Sequence, residues 1–211
     1  MELSSLEVVI WSDYLCPWCY LNQERARRLE VVHGIKVRWM PYELHPDVPV
    51  GGRSIVSVYG KGDAKRAQTS LQRFVEMAKN EGLPFRPPSR VLPTRMAHLL
   101  ATHVAAVEPE RFADLHHRLF DAVWVSDLDI TDLEVLTGLA GAVGADPVAA
   151  AEAVVAETHA DDLARSREEA MENGVVGVPA TMFPSGFVLP GFQDCATTDR
   201  IAERIIERST S

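Results

Sequence analysis

Two cysteines stand two residues apart in Cys16-Pro17-Trp18-Cys19, a spacing at which their thiols can close a small disulfide across the first turn of a helix. A helix N-terminus presents unsatisfied amides and roughly half a positive charge, which favours a thiolate on the first cysteine. Cys16 is therefore the expected nucleophile. Cys19, one turn further in, is the expected resolving thiol, attacking a mixed disulfide formed on Cys16 and releasing the partner. The same spacing serves as half of a zinc site, and His98 and His103 have a tolerable separation for ligands. Those histidines lie far downstream in helical sequence and no second cysteine pair exists, so redox chemistry is expected and a metal is not.

Other reactive residues carry less. Asp13 is the acid nearest the cysteines and reads as a loop cap or a solvent-facing residue. His116 and His117 point about 100 degrees apart on a helix, cannot chelate one ion together, and read as a solvated face. His98 reads as a partly buried, hydrogen-bonded histidine. Arg25, Arg27 and Arg28 form a basic run that can attract an anionic thiol such as glutathione, although most such runs are solvated surface. Cys195, before the expected final helix, reads as a packing residue.

The elements that must position the cysteines are legible around them. Leu6 to Trp11 is short, apolar and β-branched, a buried strand ending at Ser12-Asp13. Helix formers run from Cys19 through Leu29 to a stop at His33-Gly34. Ile35 to Met40 alternates with period two and forms a second strand, parallel to the first across a right-handed crossover. From Asp63 to Gly174 the pattern is helical. Pro109 and Pro147 suit first-turn positions, Asp146 an N-cap, and Thr131 to Glu134 a capping box. Phe112, Leu115, Leu119 and Val123 form one apolar helix face. Four prolines between Leu83 and Pro93 require a non-helical connection. Thr181 to Phe183 and Phe187 to Leu189 flank a Pro-Ser-Gly turn as a hairpin, and Thr197 or Thr198 caps a last helix through about Arg208.

Composition excludes several classes. With 211 residues, 46% hydrophobic and 24% charged, the chain is globular rather than disordered. A net charge of -9 disfavours polyanions such as nucleic acid. No apolar run approaches the roughly 20 residues that span a bilayer, and the start lacks the basic head of a secretory signal, so a cytoplasmic location without membrane insertion is expected.

The strand followed by Ser12-Asp13-Tyr14-Leu15-Cys16-Pro17-Trp18-Cys19-Tyr20, with Gly174-Val175-Val176-Gly177-Val178-Pro179-Ala180-Thr181 far downstream, resembles the DsbA-like thioredoxin-fold oxidoreductases, specifically the FrnE-type subgroup. The likeness runs through Trp39 to Pro46, Pro93 to His98 and Leu119 to Ala122. It implies an α/β thioredoxin fold with a large all-helical insertion between a βαβ N-terminal half and a ββα C-terminal half. Residues 1–60 and 175–211 would form the discontinuous thioredoxin-like domain and 61–174 the inserted helical domain. By itself Pro179 also reads as an ordinary trans proline before a strand; the resemblance implies a cis-proline loop at Val178-Pro179 facing the cysteines.

Pro17, Trp18, Val178 and Pro179 would then contact substrate, a protein or small molecule bearing a thiol or disulfide. No tightly bound cofactor is implied; glutathione is a possible co-substrate and a homodimer a possible assembly. In thioredoxin a buried carboxylate six residues before the first cysteine assists the resolving thiol, and here that position is Ile10. The pair Pro17-Trp18 resembles that of glutaredoxins, but potentials of such proteins run from about -270 to about -120 mV, and two residues do not fix a value. The alternative is a glutathione-dependent isomerase or transferase of the 2-hydroxychromene-2-carboxylate isomerase and kappa type. Those enzymes resemble this chain in fold and insertion but typically place Ser where Cys16 stands. A redox-sensing interaction module is a third reading.

Overall fold

The apolar run before the cysteines forms a strand, β1 (Glu7–Ser12), buried at every residue after the first, as a central strand must be. The computed structural model describes residues 6–210. β1 pairs in parallel with β2 (Lys36–Pro41), from Glu7 opposite Lys36 to Ser12 opposite Pro41, across helix α1 (Pro17–Val31). Its other edge pairs antiparallel with β5 (Ala180–Met182), which continues through a turn into β6 (Val188–Pro190), so the sheet order is β2-β1-β5-β6.

One face of β1, carrying Leu6, Val8 and Ile10, packs with Ala26 and Leu29 of α1 and with Ala202 of the last helix, α9 (Cys195–Thr210). On the opposite face the fully buried Trp11 donates its indole N–H to the Ser166 carbonyl at 3.2 Å. Ser166 lies in α8 (Ala160–Glu172), and its hydroxyl donates to the Pro41 carbonyl at 2.7 Å.

The chain divides into two units: the segment up to Tyr42 with everything from Ser166, and Glu43–Arg165 between them. These bounds differ from 60/61 and 174/175. Residues 43–60 carry β3 (Arg53–Ser54) and α2 (Ile55–Tyr59), which belong with α3 (Ala64–Asn80) and β4 (Arg90–Val91). At the other end, Ser166 is held by β1 and β2 through the two bonds just described.

The second unit also contains α4 (Arg95–Val107), α5 (Pro109–Trp124), α6 (Leu133–Ala142) and α7 (Pro147–Val155). Its helix starts follow capping chemistry. Asp63 accepts from the Arg66 amide at 2.7 Å, and Asp146 accepts from the Val148 and Ala149 amides, with Pro147 in the first turn. Leu115 and Leu119 are fully buried, Val123 is buried and Phe112 half-buried.

The segment of prolines is the non-helical connection its prolines require, and within it β4 pairs antiparallel with β3 while Phe85 stacks on Trp124 with ring centroids 5.4 Å apart. Two other features depart from expectation. Asp132, not Thr131, caps α6 by accepting from the Glu134 amide, because Thr131 Oγ1 is engaged by Asp129. His116 is buried rather than solvated, between Phe112 and Phe120 at 5.3 and 5.1 Å.

Candidate active site

Beyond β1 the chain turns sharply. The Asp13 carbonyl accepts the Cys16 N–H at 3.0 Å, while Asp13 Oδ1 accepts the Leu15 N–H at 3.3 Å, closing an Asx-type turn. Asp13 is fully buried, so it caps the loop and does not face solvent. Tyr14 beside it is buried as well; desolvation first, and the Asp13 charge second, push its phenol far above its ordinary range and keep it neutral.

Cys16 is the N-cap of α1, with φ -92° and ψ 114°, and Pro17 occupies the first turn, where its missing N–H leaves no bond unmade. The Cys16 carbonyl accepts from the Cys19 and Tyr20 amides at 3.0 and 3.1 Å, so the two cysteines bracket the first turn. Both thiols are free. Cys16 is 3% exposed and its thiol donates to the Val178 carbonyl at 3.4 Å; Cys19 is fully buried.

Burial pushes the Cys19 thiol well above its usual range, and the neighbouring Cys16 adds to this; the Asp13 backbone N–H and the Ser12 hydroxyl act in the opposite sense by favouring the thiolate. Both thiols are buried, and they differ in their partners: the one at the helix start bonds the Val178 carbonyl, while the one a turn further in holds its proton.

The register of β5 on β1, with Ala180 opposite Trp11, carries the preceding residues alongside the cysteine turn. The Val178–Pro179 peptide bond is cis. Of the four residues expected to contact substrate, Trp18 and Val178 are half-buried, whereas Pro17 and Pro179 are buried. The Pro179 carbonyl accepts the Gly191 N–H at 2.8 Å, which brings the loop after β6 into the same neighbourhood.

That loop supplies a residue the sequence reading missed. The Phe192 ring lies 5.4 Å from that of Trp18, and the Arg25 guanidinium sits over the Phe192 ring, 4.3 Å from its centroid. Arg25 is 3% exposed and donates to the carbonyls of Gln193 and Leu21. An aromatic after the turn glycine Gly191, φ +72°, and just before a helix cap was the available signal.

The basic run is therefore not a shared anion site. Arg25 is buried under Phe192, Arg27 pairs with Glu24 at 2.7 Å, and Arg28 pairs with Asp199 of α9 at 2.5 Å. Asp194 caps α9 by accepting the Thr197 N–H at 2.7 Å, so Cys195, half-buried, opens the helix instead of preceding it. His98 is buried on α4, and His103 stands 3.4 Å from His159, which bonds Asp162 at 2.7 Å.

A parallel β-α-β unit, a hairpin and helix completing the sheet, and a dithiol at the first helical turn define the thioredoxin class of fold. The chain belongs to the family described as the DSBA-like thioredoxin domain, whose profile matches residues 7–201. A curated relative, YwbO of Bacillus subtilis, is 28% identical over 191 residues, covering 89% of this chain and 90% of that protein. Among solved structures, one described as a probable DsbA oxidoreductase of Streptomyces coelicolor is 25% identical, with a TM-score of 0.85 over 96% of this chain and 90% of that one. A 2-hydroxychromene-2-carboxylate isomerase matches at 0.76 with 20% identity, covering 97% and 98%. The cytosolic disulfide reductase DsbM of Pseudomonas aeruginosa, solved with glutathione, matches at 0.70 with 20% identity, covering 96% and 100%.

Proposed function

We propose that the chain is a thiol–disulfide oxidoreductase in which Cys16 exchanges with the substrate and Cys19 resolves. The observation that carries this is the first turn of α1: an outer cysteine at the N-cap, bonded to the Val178 carbonyl, above a fully buried partner. The outer thiol meets the substrate sulfur at the dipole's positive end, while the inner thiol is protected from outside disulfides and reacts only with a bond already formed on Cys16.

Trp18 and Val178 border the reacting sulfur, Pro17 sets the start of the helix, and Pro179 holds the facing loop. The Val178 backbone pairs an extended substrate segment in the manner of an added strand. Glutathione is the proposed small co-substrate, in keeping with the DsbM structure solved with it, and a cytoplasmic site of action agrees with that protein's description. No helix among the described residues is long and apolar enough to cross a membrane.

The test is mass spectrometry after equilibration with glutathione buffers. Cys16→Ser should lose exchange activity, and Cys19→Ser should accumulate a glutathione adduct on Cys16. Unchanged turnover in Cys16→Ser would sink the proposal. The fold shared with the isomerase favours one second reading, glutathione-dependent isomerisation. It predicts intact glutathione held non-covalently, with no adduct in either variant.

A further inference from the structure

The dithiol reading leaves one step without a stated helper: the buried Cys19 must become a thiolate in order to attack. The topology places a hydroxyl at that point. Leu6, Val8 and Ile10 share the face of β1 that packs on Ala26 and Leu29 of α1, and by the two-residue period of a strand Ser12 is the next residue on that face. Because α1 runs back over the strand, its last turns cover Leu6 and Val8 while its first turn, with Cys19, meets the end of β1.

Ser12 is 4% exposed, and its Oγ is shielded from solvent with no hydrogen-bond partner among the described residues. Its backbone is otherwise committed, pairing with Pro41 and accepting the Tyr42 N–H at 3.0 Å. A buried hydroxyl without a partner is rare in folded proteins and calls for an explanation. The Cys19 sulfur supplies one: in its anionic state it is stabilised by the Ser12 hydroxyl together with the Asp13 backbone N–H. Two donors thus converge on a charge that exists only while the thiolate is attacking. Ile10, one step earlier on the same face, has no proton to give.

Resting on the oxidoreductase reading, we propose that Ser12 is a positioning residue for resolution, its hydroxyl donating to the Cys19 thiolate as that thiolate attacks the mixed disulfide on Cys16. In the step the Cys19–Cys16 bond forms, the bond between Cys16 and the substrate sulfur breaks, and the substrate leaves as a thiolate with the electron pair. The proton lost from Cys19 passes to the buffer. The Ser12 hydroxyl keeps its own proton throughout.

The reduced protein mixed with the aromatic disulfide 5,5'-dithiobis(2-nitrobenzoate) reads the two steps apart. The first coloured thiolate reports attack by Cys16 and depends on reagent concentration; the second reports attack by Cys19 and does not. In Ser12→Ala the first phase should keep its rate. The second should slow about tenfold at neutral pH, with its pH midpoint raised by about one unit, and recover at high pH. Ser12→Thr, which retains the hydroxyl, should hold the wild-type midpoint. A midpoint unmoved in Ser12→Ala, or raised equally in Ser12→Thr, overturns the assignment. Failure of the oxidoreductase reading has a different signature: wild-type protein releases one equivalent with no concentration-independent phase.

Discussion

Asp13 separates two jobs a buried acid can do beside a dithiol. Its Oδ1 accepts the Leu15 amide, and its carbonyl and N–H serve Cys16 and Cys19. If the side chain acts as a cap, Asp13→Asn, which keeps the acceptor, should retain most of the stability, while Asp13→Ala should lose about 1–2 kcal/mol in urea denaturation. Equal losses in both variants would assign the work to the charge. Cys16 and Cys19 were legible because their chemistry is local, a spacing inside one helical turn. Phe192 was not, since its contact with Trp18 depends on a loop more than 170 residues away in the chain. The burial of Arg25 was hidden for the same reason: a basic run looks alike whether its members face water or an aromatic ring.

At the scale of elements, α1 and α9 are clipped by Asp199, whose carboxylate accepts from Arg28 at 3.2 and 2.5 Å and from His33 at 2.9 Å. The hydrogen bonds from Arg28 first, then His33, hold its carboxyl below the usual Asp range. A depressed folded-state pKa contributes stability that is present above the unfolded value and lost as pH falls through the folded one. Asp199→Asn should therefore cost about 1 kcal/mol at neutral pH and progressively less as the pH falls below the ordinary Asp range, measured by denaturant midpoints along that series. β1, α1, β2 and the β5–β6 hairpin were legible because each carries a clean period or turn. β3 and β4 were not, because two residues are too few to show alternation. α9 starts two residues before Thr197, which has the look of a cap in sequence, because Asp194 takes the Thr197 amide.

Over the whole molecule, acid stability is set in part by His116. Desolvation first, then the nearby His98 and His117, lower its pKa to about 3, and Phe112 and Phe120 flank the ring. The folded state keeps it neutral while the unfolded chain protonates it below its ordinary value near 6.5, so stability falls as pH drops between those limits, by up to about 1.4 kcal/mol per unit. His116→Leu should flatten that slope between pH 6 and 4, followed through the fluorescence of Trp124 in the same helix. An unchanged slope would show that His116 is already neutral in the unfolded chain or charged in the folded one. The two-unit division was foreseeable from the change in periodicity, but its bounds depend on which neighbours residues 43–60 choose, a tertiary fact.

The Cys16 thiol and the Val178 carbonyl that receives it are 162 residues apart in the chain. On a ribosome adding about 5–20 residues per second, the cysteines emerge roughly eight to thirty seconds before the strand that completes their surroundings. During that interval the pair is a bare dithiol on a growing polypeptide, open to the oxidants of its compartment. The Cys16 thiol therefore gains its carbonyl acceptor late, and until then the redox state of the pair is set by its surroundings rather than by its fold.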